Sequence, residues 1–258
     1  MEKLFLLDAY ALIYRAYYAF IRAPRINSKG QNTSAIFGFV NTLEDVLKKE
    51  QPTHIGVAFD PKGPTFRHEL FEQYKAQREE TPEDIRASVP IIKDILRAYR
   101  IPILEVSGYE ADDVIGTLAF RASEADYEVF MVTPDKDYGQ LVGPNRHLYK
   151  QKGDDIEIVR EQDICAKYGI SDPVLVRDIL AIWGDASDNI PGVAGIGEKT
   201  ATDLISRFGG IDYIYEHLDE LDIKAGVKAK LLAENPARSF TKKMQIPFAS
   251  VITFDVFS

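Results

Sequence analysis

The sequence is poor in the residues that stable cross-links and catalytic triads require: one cysteine, Cys165, and four histidines in 258 residues. A single cysteine excludes an internal disulfide and any thiolate zinc site. His54, His68, His147 and His217 all lie outside the acidic motifs described below, and no Ser-His-Asp order suggests a nucleophilic triad. No stretch approaches the ~18 uncharged apolar residues that a membrane-crossing helix needs. Asp8 and Arg15 interrupt the apolar start of the chain, and no small-residue cleavage site follows, which argues against a signal peptide. Internal repeats, low-complexity tracts and long linkers are also missing. The expectation is a soluble cytoplasmic protein without a membrane partner, built as one large domain or a domain with a satellite.

What the sequence has in excess is acid. Asp and Glu number 40 against 31 Lys and Arg, a net charge of −9. Nine of those acids are candidate metal ligands. Setting them aside gives −9 + 9 = 0, so the remainder is balanced and net charge does not exclude a nucleic-acid partner.

The position of these nine carries the argument. Asp8 ends the apolar run 4–7, Asp60 follows 55–59, and Asp135 and Asp137 follow 129–132 after Thr133 and Pro134. Such short, unbroken, branched or aromatic runs are expected for strands of a parallel sheet covered on both faces. Ligands bind such sheets outside the carboxyl ends of the strands. Three strands therefore deliver acids to one rim. The motif Gly-Tyr-Glu-Ala-Asp-Asp at 108–113 adds Glu110, Asp112 and Asp113 where a third strand (101–106) passes into a helix (112–123). The loop Gly-Asp-Ala-Ser-Asp-Asn at 184–189 adds Asp185 and Asp188. Acids in a first helical turn can also serve simply as caps, and that reading stays open for one or two of the 110–113 group. Nine carboxylates together would repel strongly unless cations neutralised them. Oxygen-only donors suit Mg²⁺ or Mn²⁺.

Between the second and third strands lies a segment of different character. From 65 to 78, Arg67, Phe71, Tyr74, Lys75 and Arg78 recur at helical spacing and would form one basic-aromatic stripe on a helix. Cations and π-faces suit a groove that follows a phosphate backbone; a solvated helix face with Phe71 and Tyr74 turned inward is the alternative. A second helix is expected over 83–99. Farther on, 147–150 and 156–159 form a hairpin around Gly153 and Asp154, and 174–183 a helix. Residues 190–201 then form a glycine-rich hairpin opening a helix. There Gly195 and Gly197 would let backbone approach a phosphate held by free N–H groups and Lys199, although a plain tight turn explains the same pattern.

These pieces, in this order, resemble the bacterial 5′-nuclease family: the N-terminal 5′–3′ exonuclease domain of DNA polymerase I and its free-standing relatives, within the wider flap-endonuclease superfamily. The resemblance rests on Asp8-Ala9-Tyr10 with Arg15-Ala16-Tyr17, Ala58-Phe59-Asp60, Thr65-Phe66-Arg67, Tyr74-Lys75 with Arg78, residues 108–116, Pro134 to Asp137, residues 184–192, and Gly195 to Ala201. It covers about residues 3–235; beyond 236 it is loose, around 239–243. The resemblance implies an α/β fold with a mostly parallel central sheet flanked by helices, a PIN-like or resolvase-like core. A helical arch and a C-terminal helix–three-turn–helix subdomain would be added to it. The expected division is 1–183 for the core, with the arch at about 62–99, and 184–258 for the subdomain and tail.

The resemblance also implies roles. Asp8, Asp60, Glu110, Asp112 and Asp113 match a first set of metal acids, and Asp135, Asp137, Asp185 and Asp188 a second. Arg67, Tyr74, Lys75 and Arg78 match the arch that receives a 5′ single strand. Arg15, Lys75 and Arg78 are the expected catalytic cations near the scissile phosphate. Gly192, Gly195, Gly197, Lys199 and Thr200 match the hairpin that grips duplex DNA, and relatives hold K⁺ there through backbone carbonyls. The implied activity is structure-selective 5′–3′ exonuclease and 5′-flap endonuclease cleavage in replication-primer removal and repair, by a two-metal mechanism. Substrates would be DNA with a 5′ flap, nick or free 5′ end, and RNA–DNA hybrids. A monomer is expected, fused to or cooperating with a DNA polymerase.

Three rivals have distinguishing features. A non-catalytic junction binder would not need all nine acids. A haloacid-type phosphatase would want an aspartate where Tyr10 stands. A small acidic-cluster RNA nuclease would lack both the 65–78 segment and the glycine hairpin.

Overall fold

Residues 1–153 and 155–233 are described in the computed structural model. Asp154 and everything from 234 on, including the loose match at 239–243, lie outside the described residues.

The chain builds a six-stranded sheet in the order β3-β2-β1-β4-β5-β6. The strands are β1 (Lys3–Asp8), β2 (His54–Ala58), β3 (Ile103–Leu104), β4 (Glu128–Val132), β5 (Arg146–Lys152) and β6 (Asp155–Val159). All neighbours pair in parallel except β5 and β6, the expected hairpin. Period-two alternation decides which residues face which core. Phe5, Leu7, Val57, Phe59, Phe130 and Val132 pack on one face, against Leu12, Ile13, Phe39, Leu43, Ile92 and Leu96. Those partners come from α1 (Ala9–Ala19), α2 (Ser34–Asp45) and α4 (Glu83–Ala98). Leu6, Ala58, Val129 and Met131 face the other core, with Val114, Ile115, Ile179, Leu180, Leu204 and Ile205. Here the helices are α5 (Ala111–Glu124), α7 (Val176–Trp183) and α8 (Glu198–Phe208). This second core continues into α9 (Ile211–Glu216) and α10 (Ala225–Ala233) through Ile211, Ile214 and Leu231. The remaining helices are α3 (Phe66–Leu70) and α6 (Glu161–Tyr168). A two-stranded ribbon pairs β7 (Gly184–Asp185) with β8 (Ile190–Pro191).

Strand β1 has β2 on one side and β4 on the other, so the order reverses at its carboxyl end. In an open α/β sheet that is where a crevice forms. Asp8 stands at this point, the last residue of β1 and the N-cap of α1, where its carboxylate accepts the Ala11 N–H at 3.1 Å.

Two expectations are corrected. The third strand shortens from 101–106 to Ile103–Leu104. It is an edge strand, and Pro102 has no N–H to give a ladder, although its carbonyl still accepts from Val57. The single basic-aromatic helix over 65–78 is also absent. Helix α3 stops at Leu70, Phe71 turns extended (φ −150°, ψ 101°), and Lys75 adopts left-handed backbone (φ 55°). The cause is tertiary: residues 73–78 are captured by the loop before β8, with the Lys75 N–H donating to the Asp188 carbonyl at 3.0 Å.

Candidate metal centre

At the carboxyl ends of β1, β2 and β4 lies a cleft of about 570 Å³. Eight of the nine expected acids line it: Asp8, Asp60, Glu110, Asp112, Asp135, Asp137, Asp185 and Asp188. Several are held by local backbone or side-chain bonds. Asp8 is fixed by its capping bond and by the Tyr138 hydroxyl, which donates to it at 2.9 Å. Asp60, just past β2, accepts the Ala111 N–H at 2.8 Å and so tethers that strand end to α5. Asp135 accepts the Asp137 N–H at 2.9 Å, the Asx turn opening the 3₁₀ turn Asp137–Leu141. Asp185 likewise accepts from the Ser187 backbone and hydroxyl, at 2.8 and 2.6 Å.

The ribbon that presents Asp185 and Asp188 depends on two glycines. Gly184 has φ 82°, and a Cβ there would lie 2.4 Å from the Gly192 nitrogen. On Gly192 a Cβ would lie 2.3 Å from the Trp183 carbonyl. Only bare backbone can pass so closely.

The carboxylates divide by their counter-charges. Glu110 has company: Lys75 Nζ lies 2.8 and 2.9 Å from its two oxygens and the Tyr74 hydroxyl 2.8 Å away. Burial pushes its pKa up, but Lys75 and Arg67 outweigh that and hold it below the usual range. Asp188 accepts from Arg78 and lies 3.0 Å from the Tyr74 hydroxyl. One phenolic proton cannot serve both Glu110 and Asp188, so one of them meets a lone pair there.

Five other carboxyls of the cleft are raised. Burial, then the charge of Asp60, pushes Asp8 up to about 7. Burial, followed by Asp135 and Asp185, takes Asp137 to about 7. Asp60, Asp112 and Asp135 are raised as well, in each case chiefly by burial. An acid that is raised while its neighbours are also acids is short of positive charge.

Asp113 is the exception among the nine: it does not line the cleft. It is fully buried behind the cleft, and the Arg67 guanidinium donates to both its oxygens at 2.7 Å. It also accepts the Glu110 N–H at 2.9 Å. Asp113 is the capping acid that the 110–113 motif left open. Arg67 borders the cleft, but at 2 % exposure its guanidinium is forked onto Asp113, with Glu110 3.6 Å and Asp112 4.0 Å away, so these carboxylates take up its charge. Arg15 is placed elsewhere. Its guanidinium bonds Thr42 and Gln151 at 3.0 Å each, between α2 and β5, and it does not line the cleft.

Lys75, Arg78 and Tyr74 do line it. So do Tyr10, Tyr14, Lys136, Tyr138 and Gln140, which the sequence reading passed over. Tyr10 and Tyr14 are one helical turn apart on α1, a spacing that marks a shared face once the Asp8 cap is known. The glycine hairpin is an exposed tip anchored by buried Val193 and Ile196. Gly197 and Lys199 are open to solvent there, Gly192 and Thr200 are half-buried, and Lys230 Nζ donates to the Gly195 carbonyl at 2.8 Å.

The donor set is all oxygen, it is short of positive charge, and it is shared among five chain segments, which fits hard divalent cations. Among the described residues no three acid, histidine or cysteine side chains are grouped tightly enough to hold one ion in the present rotamers. Nor is any helix among the described residues long and apolar enough to cross a membrane.

Comparison with known proteins agrees with this architecture. Residues 3–169 match the family description "5′-3′ exonuclease, N-terminal resolvase-like domain", and residues 171–246 match "5′-3′ exonuclease, C-terminal SAM fold". DNA polymerase I of Bacillus caldotenax is 43% identical over 223 residues, which is 85% of this chain and 25% of that protein. The 5′-3′ exonuclease of Aquifex aeolicus is 37% identical over 220 residues, 85% of this chain and 74% of that one. The chain thus spans about a quarter of the length of the DNA polymerase I relatives it matches. Among solved structures, the bacteriophage T5 flap endonuclease in a pseudo-enzyme–product complex with DNA and metal ions has the same fold. Its TM-score is 0.73 at 23% identity, over 95% of this chain and 89% of that one.

Proposed function

Because this chain belongs to the 5′-3′ exonuclease family, we propose that it hydrolyses phosphodiester bonds in DNA as a structure-selective, metal-dependent 5′–3′ exonuclease and 5′-flap endonuclease. The observation that carries this is the convergence of eight carboxylates from β1, β2, β4, α5 and the β7–β8 ribbon on one cleft.

Asp8, Asp60, Glu110 and Asp112 would hold one divalent ion, Mg²⁺ or Mn²⁺, and Asp135, Asp137, Asp185 and Asp188 the other. When bound, such ions stabilise charge on the phosphoryl oxygens and activate the attacking water. The chain's own part is positioning. Lys75 and Arg78 are the cleft cations placed to take a phosphodiester and hold it in line. Half-buried Tyr10 and Tyr14 offer aromatic surface beside it, on which an unpaired base can stack, while buried Tyr74 holds Glu110 and Asp188 through its hydroxyl. Arg67 and Asp113 act from behind: their ion pair fixes the first turn of α5, and with it Glu110 and Asp112.

The exposed hairpin, with Gly192, Gly195, Gly197, Lys199 and Thr200, would grip duplex backbone without reading sequence. The Gly195 carbonyl already faces the Lys230 ammonium, which supports a K⁺ at that place. We keep the functional division at 183/184, with the arch at 62–99. Selectivity would follow from shape, a duplex on the hairpin and a free 5′ end at residues 71–78. RNA–DNA hybrids fall within that range, and in the cell the role would be primer removal and repair, by a cytoplasmic monomer working with or fused to a polymerase.

The test is cleavage of 5′-labelled flap, nicked and RNA-primed duplexes with Mg²⁺, for the wild type and Asp112→Asn. Products released from the 5′ end by the wild type, and lost in the variant, are expected. Metal-independent cutting, or full activity in Asp112→Asn, would overturn the reading.

A further inference from the structure

We propose that Lys75 and Arg78 are built-in counterions of the cleft, and that divalent ions load by displacing them. The inference rests on the reading of the cleft as a metal centre and adds an exchange step to it.

The segment 71–78 is laid along the loop before β8 by an unbroken set of bonds. The Lys75 N–H donates to the Asp188 carbonyl at 3.0 Å, and Asn189 Nδ2 to the Gln73 carbonyl at 2.6 Å. Gln77 Nε2 donates to the carbonyls of Ala186 and Ser187, at 2.9 and 3.3 Å. Lys75 and Asn189 both adopt left-handed backbone, φ 55° and 56°, at this junction. Non-glycine residues enter that region only where the surroundings hold them there.

What holds Lys75 is electrostatic. Its ammonium is 18% exposed, within 2.9 Å of both Glu110 oxygens and 3.8 Å from Asp188. Arg78 takes the remaining Asp188 oxygen. Two acids expected on different ions are thus bridged by cations of one short segment. A divalent ion taking Glu110 competes with that ammonium, which contacts both of its oxygens, and repels it. Ion loading must therefore release Lys75 and loosen 73–78 from 186–189. The freed ammonium and guanidinium are left at the rim, without a carboxylate partner, where a phosphate can take them. The order is ions first, backbone phosphate second. Because the coupling is reciprocal, removing either cation must tighten ion binding.

The test measures Mn²⁺ affinity without DNA, by electron paramagnetic resonance of the free ion, for the wild type, Lys75→Met, Arg78→Met and Lys136→Met. Lys136 lines the same cleft, but its ammonium is held over the Trp183 ring at 4.2 Å. It therefore reports the general effect of losing one positive charge. Expected is a gain of about tenfold for Lys75→Met, a smaller gain for Arg78→Met, and about twofold or less for Lys136→Met. Hydrogen exchange on the wild type reads the same event: Mg²⁺ alone should speed exchange of the Lys75 and Arg78 amides. Unchanged or weakened Mn²⁺ binding in Lys75→Met, a gain matched by Lys136→Met, or slower amide exchange with Mg²⁺ would overturn the exchange while leaving the metal centre intact. A wild type that binds no Mn²⁺ would overturn both.

Discussion

Arg67 and Asp113 have almost no access to water, at 2% and 0% exposure, and their two 2.7 Å bonds form a fork, with Glu110 and Asp112 farther from the guanidinium at 3.6 and 4.0 Å. Removing one member leaves the other charged and buried, which costs about 3–5 kcal/mol. Arg67→Met should therefore lose about 4 kcal/mol of unfolding free energy, or roughly 8–16 °C in Tm for a chain of this size. Asp113→Leu should cost slightly more. It also removes the acceptor of the Glu110 N–H, a cap worth about 1 kcal/mol. The double variant Arg67→Met/Asp113→Leu removes both members of the fork and should cost about 3 kcal/mol or more less than the sum of the two single losses, the remainder reflecting the lost cap and the loss of Arg67 beside Glu110 and Asp112. Urea unfolding followed by circular dichroism, in EDTA at pH 7, measures all three. If Arg67→Met costs less than about 1 kcal/mol, or the single losses simply add, the pair is not the pin of α5 and the argument built on it fails.

Three further outcomes are expected. In EDTA the protein should lose stability as pH rises from 5 to 8. Asp8 and Asp137 have folded values near 7 against an ordinary 3.8. The folded state thus binds more protons, and the stability it gains below pH 3.8 disappears as pH climbs towards 7. Asp8 alone sets a slope of up to about 1.4 kcal/mol per pH unit. Glu110 is shifted downward, so its effect falls at lower pH, outside this window. Saturating Mg²⁺ should flatten the profile, and a flat or rising profile in EDTA would contradict the charge balance described here. Asp112→Asn, which relieves repulsion, should raise Tm in EDTA while weakening Mn²⁺ binding at least tenfold; a fall in Tm with unchanged binding would oppose it. Gly192→Ala drives a Cβ into the Trp183 carbonyl and should cost about 3 kcal/mol and loosen Mn²⁺ binding, both readable by thermal unfolding and titration. A neutral result would mean the ribbon does not position Asp185 and Asp188.

The sequence made Asp8, Asp60 and Asp135 legible because each follows a short apolar run, and in a parallel sheet every such run ends at the same rim. Lys75 and Arg78 were legible as cations near that rim, through a stripe drawn on a helix that does not exist beyond Leu70. Their true placement comes from contacts with the loop 186–189, more than a hundred residues away, which no local periodicity can encode. Arg67 shows the opposite failure. A charged residue at helical spacing reads as a solvated or ligand-facing position, and only the fold shows it turned inward onto Asp113. The pair 112–113 looked alike in sequence, yet one residue in a helical turn rotates a side chain by about 100°, enough to send Asp112 to the cleft and Asp113 to the core. Arg15 is a related case of placement that local spacing does not encode. It lies seven residues after Asp8, on the side of α1 that reaches Thr42 and Gln151.

The central claim is that these eight carboxylates meet because they share divalent ions. Anomalous scattering from crystals soaked in Mn²⁺ tests it directly. The account predicts two peaks inside the cleft, one among Asp8, Asp60, Glu110 and Asp112 and one among Asp135, Asp137, Asp185 and Asp188. An empty cleft at saturating Mn²⁺, or peaks only on outer surfaces, would contradict it.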